Sequence, residues 1–347
     1  MAFLRRVYVS AQIVIISASR LDMKRLTHRF KTAIFLMIVT LSSGLSAEDL
    51  KDQTPIVFQA DWFSNAQFAG FFWAESTGIY AAHGLDVSFS PFDFGVDFLE
   101  KVSSGEAAFG TAEAYILMDA VARGEELVAL GAVLGESPAG YIYLAESGIE
   151  TAADLLGKRV GVHNYAQALL PFFVAEAGLD PDSVEAVEVQ HKIEKLLEGS
   201  VDLHQGYAID EMIRLQSMTD KPVKILLFEA MGMLMYSMVI YSSRKFVDEN
   251  PDVVKAFMAA SAEGWERAMR APEIAALIVN GPFNDPRVDD TIVVRQAVSL
   301  KPFVLKEGRA TLSMTRAKWE AMQVAYLESG MIDEPVDLDA FLVLPTD

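Results

Sequence analysis

Two hydrophobic periods alternate along this chain, and the switches between them mark out its elements. Ile56 to Gln59 is a short apolar run with the length of a buried strand. In "NAQFAGFFWAESTGIYAA", Phe68, Phe71, Phe72, Glu75 and Ile79 recur at spacings of three and four, which predicts a helix over 66–82. "HGLDVSFSP" sets a glycine stop before an alternating strand. "VDFLEKVSSGEAAFG" reads as a helix closed near Gly105 and then a strand. "TAEAYILMDAVARGEELVALGAVL" repeats helix, turn and strand. A β-α-β-α-β run of this kind favours a parallel sheet covered by helices.

The pattern then starts again. "SPAGYIYLAESGI" is an aromatic-rich strand, and "TAADLLGKRVGVH" is a helix, a glycine turn and a strand, with Thr151 and Asp154 spaced as a capping box. "AQALLPFFVAEAGL" is helical, "VEAVEVQ" extended, "KIEKLLEGSVDLHQGY" a helix and strand, "AIDEMIRLQSM" a helix, and "VKILLF" and "SMVIYSS" strands. From Pro251 the chain turns helical, most plainly in "PDVVKAFMAASAEGWERAMRAP" and "SMTRAKWEAMQVAYLESGM". Two α/β units joined by crossings near 138–146 and 236–243 predict a two-lobed α/β protein. Lobe one is expected over 54–140 and 242–347, lobe two over 141–241, with a ligand cleft between them.

Composition sharpens this picture at the N-terminus. From Met23 onward, Lys24, Arg25, Arg29 and Lys31 precede an apolar run, Thr32 to Leu41, and a small-residue stretch ending at Ala47. That is the composition of a secretory signal peptide, expected over 1–47 with the start near Met23 and cleavage after Ala47. The apolar run is shorter than the ~20 residues that span a bilayer, so no direct membrane anchor is expected. Removing 1–47 takes away seven Lys/Arg and one Asp, and the formal charge falls from −19 to −25. Such a surface repels nucleic acid. With no cysteine in the chain, disulfides, thiolate metal sites and cysteine nucleophiles are excluded.

The candidate chemistry sits where strands end. Trp62 follows the first strand, Asn65 offers a donor and an acceptor beside it, and Phe68 opens the next helix. Phe71, Phe72 and Trp73 fall on successive helix faces and are assigned mostly to the core. Glu113 stands between a strand and a helix, placed either to accept from an exocyclic amine or to complement the helix start. His163 and Tyr165 follow a strand of the second unit; Tyr207 ends another, and Asp210 and Glu211 open the helix after it. Tyr236 abuts the return crossing. Aromatic walls with a few fixed polar groups suit a planar heteroaromatic ligand.

Five blocks in order carry a resemblance: "DWFSNAQFAGFFWAESTGIYAAHGLDV", "SSGEAAFGTAEAYIL", "TAADLLGKRVGV", "LLEGSVDLHQGYAIDEM" and "NPDVVKAFMAASAEGWERAM". Together they resemble the ABC-transporter periplasmic substrate-binding proteins of the thiamine-pyrimidine-precursor (NMT1/THI5-like) family. The resemblance covers nearly all of 54–347. It implies a type II periplasmic-binding-protein fold, with two parallel or mixed sheets, helices on both faces and hinge closure over a small ligand. It also implies an ABC permease in the inner membrane as partner, and a monomer. Ser64 and Phe68 stand where pyrimidine-binding members often carry Pro and His.

The expectation is therefore a binder and not an enzyme, with no cofactor and no metal. A pyrimidine synthase in this superfamily has a cysteine-rich motif that this chain cannot contain, and no Ser/His/Asp triad or phosphate loop is present. The alternatives are a binder of a sulfonate- or nitrate-type oxyanion and a ligand-presenting subunit of a membrane sensor. An oxyanion site would want Arg, Lys or clustered backbone donors, and the blocks quoted hold carboxylates and aromatics.

Overall fold

The computed structural model describes residues 53–163, 167, 169–189 and 192–343. The expected signal segment, 1–47, and Tyr165 lie outside the described residues. Ten strands form two five-stranded sheets with the same internal plan. The first contains β1 (Thr54–Gln59), β2 (Leu85–Ser90), β3 (Phe109–Ala112), β4 (Leu127–Leu134) and β10 (Ser237–Ser243). Its order is β2-β1-β3-β10-β4, with β1 parallel to β2 and β3, and β10 antiparallel to both neighbours. The second contains β5 (Ala139–Leu144), β6 (Arg159–Val162), β7 (Glu185–Glu188), β8 (Leu203–Tyr207) and β9 (Val223–Leu227). Its order is β7-β6-β8-β5-β9, and here β5 is the antiparallel strand.

Each sheet thus takes its antiparallel strand from the chain that links it to the other. The links themselves are residues 135–138 and 228–236. The strands expected to be the crossings, near 138–146 and 236–243, sit inside the sheets as β5 and β10, and β10 belongs to the first sheet rather than the second.

The crowded aromatic stretch near the N-terminus divides its labour. The helical segment expected as one piece is a 3-10 turn, Ala66–Phe68, then helices Ala69–Ser76 and Ile79–Ala82. Gly78 at φ 78° breaks it, a left-handed conformation that other residues adopt only at a cost. Phe71 and Phe72 point into the core of the first unit. Phe71 packs on Phe58 at 4.7 Å, and Phe72 stacks on Phe283 at 4.2 Å. Phe257, from helix Pro251–Arg270, stacks on Phe109 at 4.0 Å and ties that helix to the sheet. In the second unit, Thr151 N donates to Asp154 Oδ2 at 2.9 Å, forming the capping box that the spacing predicts.

Candidate functional site

The carboxyl ends of the parallel strands from both sheets meet across one cavity. Open α/β sheets place ligands at such strand ends. From the first sheet come Asp61 and Trp62 after β1, Phe68, and Glu113 after β3. From the second come His163 after β6, and Tyr207, Asp210 and Glu211 at and after β8. The cavity leaves about 70 Å³ for the centre of a water-sized sphere. One water needs roughly 10–15 Å³ on that measure, so the space suits a small ring with short substituents.

Two hydrogen bonds between lining side chains bridge the lobes across this space. Tyr207 donates its hydroxyl hydrogen to Glu113 Oε1. Trp62 Nε1 donates to Asp210 Oδ2 at 3.2 Å. The Trp62 indole also meets the His163 ring edge-on at 5.7 Å, so the aromatic wall is built from both lobes. On its other side Trp62 packs against Phe63 at 5.2 Å and Phe92 at 5.5 Å. Arg287 lies over the Phe63 ring at 4.2 Å, bracing that wall from outside the cavity lining.

Among the described residues that line the cavity, four carry carboxyl groups and none is Lys or Arg. Burial pushes Asp61 up to about 6, although Thr111 Oγ1 donates to it at 2.6 Å. Burial likewise pushes Glu113 up to about 7 against the donors Tyr207 and Ser237, the latter at 2.7 Å. Glu211 rises to about 8, first through burial and then through the charge of Asp210 beside it. Burial also raises Asp210. A carboxyl removed from water is disfavoured as an anion unless a cation or enough donors replace the lost hydration. These groups are therefore poised to accept protons, or hydrogen bonds from a cationic ligand.

Local geometry fixes the carboxylates. Glu211 Oε2 accepts from the Tyr207 backbone N–H at 2.8 Å, folding the first turn of its helix back onto the strand end. Gly206 makes room for this: a Cβ there would stand 2.8 Å from Glu211 Cβ. Ser237 Oγ, at the start of β10, also lies 2.7 Å from Ser137 Oγ, so Glu113 is connected through it to the link 135–138.

Of the residues singled out in the sequence, Trp62, Phe68, Glu113, His163, Tyr207, Asp210 and Glu211 line this cavity. Asn65 stands behind the wall: its side chain accepts from Gln67 N at 2.7 Å and donates to Asp210 at 3.2 Å. Tyr236 is displaced from the expected place. Its hydroxyl accepts from Thr315 N at 2.9 Å, and its ring lies under Lys318 Nζ at 4.4 Å, in a second cavity beside the links. Tyr236 does abut the return link, but it stands at the amino end of β10 and not at the carboxyl end of a strand, where the cavity lies. Sequence reasoning missed Asp61 and Gln205 as lining residues and Gln296 as a partner of Asp210. Asp61 alone had a signal, since it directly precedes Trp62 at a strand end.

Comparison with known proteins gives a consistent frame. The family model described as NMT1/THI5 like matches residues 65–275. The 4-amino-5-hydroxymethyl-2-methylpyrimidine phosphate synthase of Legionella pneumophila is 23% identical over 235 residues, 67% of this chain and 74% of that protein. The Candida albicans protein of the same name is 26% identical over 233 residues, 63% and 69% of the two chains. Among solved structures, the periplasmic aliphatic sulphonate binding protein SsuA from Escherichia coli superposes with a TM-score of 0.67 at 16% identity, covering 85% of this chain and 93% of that one. The alkanesulfonate-binding protein SsuA from Xanthomonas axonopodis pv. citri, bound to MOPS, gives 0.64 at 16% identity, covering 85% and 99%. The fold is that of the periplasmic binding proteins, as the resemblance implies. One expectation is overturned: the sequence points to a binder and not an enzyme, whereas these curated relatives carry the name of a synthase. The absence of cysteine and of a triad excludes particular chemistries, and that does not exclude catalysis as such.

Proposed function

Because the chain belongs to the NMT1/THI5-like family, we propose that it captures a small planar ligand bearing an amino or cationic group in the cavity between its lobes. A 4-amino-pyrimidine of the kind named for its curated relatives is the leading candidate. The observation that carries this reading is the lining: Trp62 and His163 as aromatic wall, with Asp61, Glu113 and Glu211 as acceptors and no Lys or Arg. A carboxylate accepting from a protonated aminopyrimidine makes a charge-assisted hydrogen bond. The described lining offers a sulfonate no cationic side chain, so the likeness to sulfonate binders is one of fold.

In this reading the lobes are the units built on the two sheets, and residues 135–138 and 228–236 form the hinge. Closure buries the ligand and creates a surface for a partner to read. The chain is exported to the periplasm by its N-terminal segment and hands its ligand to an ABC permease of the inner membrane. The fold likeness to periplasmic binders and the composition of 23–47 support this placement.

Calorimetric titration of the purified protein with 4-amino-5-hydroxymethyl-2-methylpyrimidine, against an alkanesulfonate in parallel, tests the reading. Binding of the pyrimidine and not the sulfonate is expected, with a rise in apparent stability. The reverse preference would overturn it. Mass spectrometry of the recovered ligand then separates capture from conversion, the alternative that the relatives' names bring.

A further inference from the structure

Asp210 lines the cavity, yet both of its oxygens are engaged by the opposite lobe. Oδ2 accepts from Trp62 Nε1 and from Asn65 Nδ2, each at 3.2 Å. Oδ1 accepts from Gln296 Nε2 at 2.7 Å. All three donors are neutral, and all belong to the unit built on the first sheet. Gln296, from helix Asp290–Val304, makes the shortest of these contacts and is 2% exposed. It lies beyond residue 275, where the family match ends. Only its amide nitrogen suits a carboxylate, so the bond fixes how the side chain is turned.

We propose that Gln296 is a positioning residue for the ligand site. By holding Asp210 it shuts the two lobes over the cavity in the absence of ligand, and it leaves the reading of the ligand to the other three carboxyl groups. The role rests on the interlobe binding site argued above, but its main readout needs no ligand. Arg214, on the helix that Asp210 opens, acts on the carboxylate within its own lobe, but the three neutral donors reach it only when the lobes are together. Removing the donor from Gln296 frees one carboxylate oxygen and weakens the closed arrangement relative to an open one in which water takes its place.

The chain has no cysteine, so a labelled pair can be introduced cleanly. Asp93→Cys in the first unit and Met218→Cys in the second are both exposed positions. Spin labels there report lobe separation by double electron–electron resonance on the full ligand-free chain. A single short distance is expected for the parent. Gln296→Met, close in shape but without a donor, is expected to add a longer population. It should also weaken pyrimidine binding about tenfold. Gln296→Glu, which sets a second carboxyl against Asp210, is expected to open the lobes further, and it provides the same readout should Gln296→Met fail to fold. In an Asp210→Ala background Gln296→Met should change the distance no further, which an unspecific packing defect would not reproduce. A parent already open, or a distance unmoved by either Gln296 variant, overturns the proposal. A distance that moves as expected in a protein that binds no pyrimidine supports the latch and refutes the ligand assignment.

Discussion

Tyr207 donates its hydroxyl hydrogen to Glu113 across the gap between the two sheets. The tyrosine ends β8 of the second sheet, and the glutamate follows β3 of the first. With Trp62 and Asp210 the exchange runs the other way, lobe one donating through the indole to a carboxylate of lobe two. Each lobe therefore presents a carboxyl group to an aromatic donor of its partner. The same four side chains line the cavity, so the contacts that join the lobes are made by residues of the cavity wall.

That sharing predicts separable effects at Trp62. Trp62→Ala removes both the ring and the Nε1 donor, and binding of the pyrimidine should weaken by roughly 1–3 kcal/mol, tenfold to a hundredfold. Trp62→Phe keeps an aromatic face and loses only the bond to Asp210, so it should retain part of the lost affinity. Titration calorimetry on both variants, with melting of the ligand-free proteins as control, checks this. Equal affinity for Trp62→Ala and the parent would return the indole to a purely structural role.

Tyr207→Phe isolates the other bridge. It preserves the ring and leaves Glu113 with Ser237 as its side-chain donor. Loss of a donor to a buried carboxylate raises its pKa further, so Glu113 should take up its proton at a pH above about 7. Carboxyl-resolved NMR titration of parent and variant measures the difference directly.

The buried acids also set a pH dependence of stability. Burial pushes Asp61, Glu113 and Glu211 up to about 6, 7 and 8 in the folded protein, from 3.8, 4.5 and 4.5. Between about pH 4 and pH 8 the folded form therefore holds protons that the unfolded chain has released. Stability is greatest below the unfolded values and falls as pH rises through the folded ones. The melting temperature of the ligand-free protein should decline from pH 5 to pH 8.5. Glu211→Gln should flatten the upper part of that decline. A cationic ligand replaces the protons, so its binding should release them, and the calorimetric enthalpy should vary with the ionisation enthalpy of the buffer.

Tyr236 should behave as a structural residue at the hinge. Tyr236→Phe deletes the acceptor for Thr315 N and costs about 1 kcal/mol of stability. Affinity for ligand should stay within twofold of the parent. A large loss of affinity at unchanged melting temperature would place Tyr236 back in the site.

Much of this arrangement was written in local pattern. β10 falls where "SMVIYSS" places it, because an apolar run of that length with a polar run after it has few alternatives. Trp62, Glu113 and Tyr207 were legible because strand ends in α/β units face ligands whatever the family. Helix Asp290–Val304 does not stand out in the sequence because Pro302 lies in its last turn, where a proline argues against a helix. With it went Gln296, whose meaning depends on a partner 86 residues away. Asp210 looked like a ligand contact or a helix-start charge, and nothing near it in sequence reveals the three donors that meet it. Tyr236 was misplaced because a strand boundary fixes where a residue sits and says little about which way its side chain turns before the strand begins.

The interleaved strand order also sets a timetable for the growing chain. β4 pairs with no strand of its own sheet except β10, so the first sheet stays split until residue 243 has emerged. All five strands of the second sheet lie within 139–227 and depend on nothing downstream for their pairing. The unit that is second in sequence is thus the first that can finish its sheet. The N-terminal strands meanwhile wait with an open edge, the kind of edge that invites pairing with other chains. A protein laid out in this way gains from being kept unfolded until synthesis is complete, which is also the state in which a chain is threaded across a membrane.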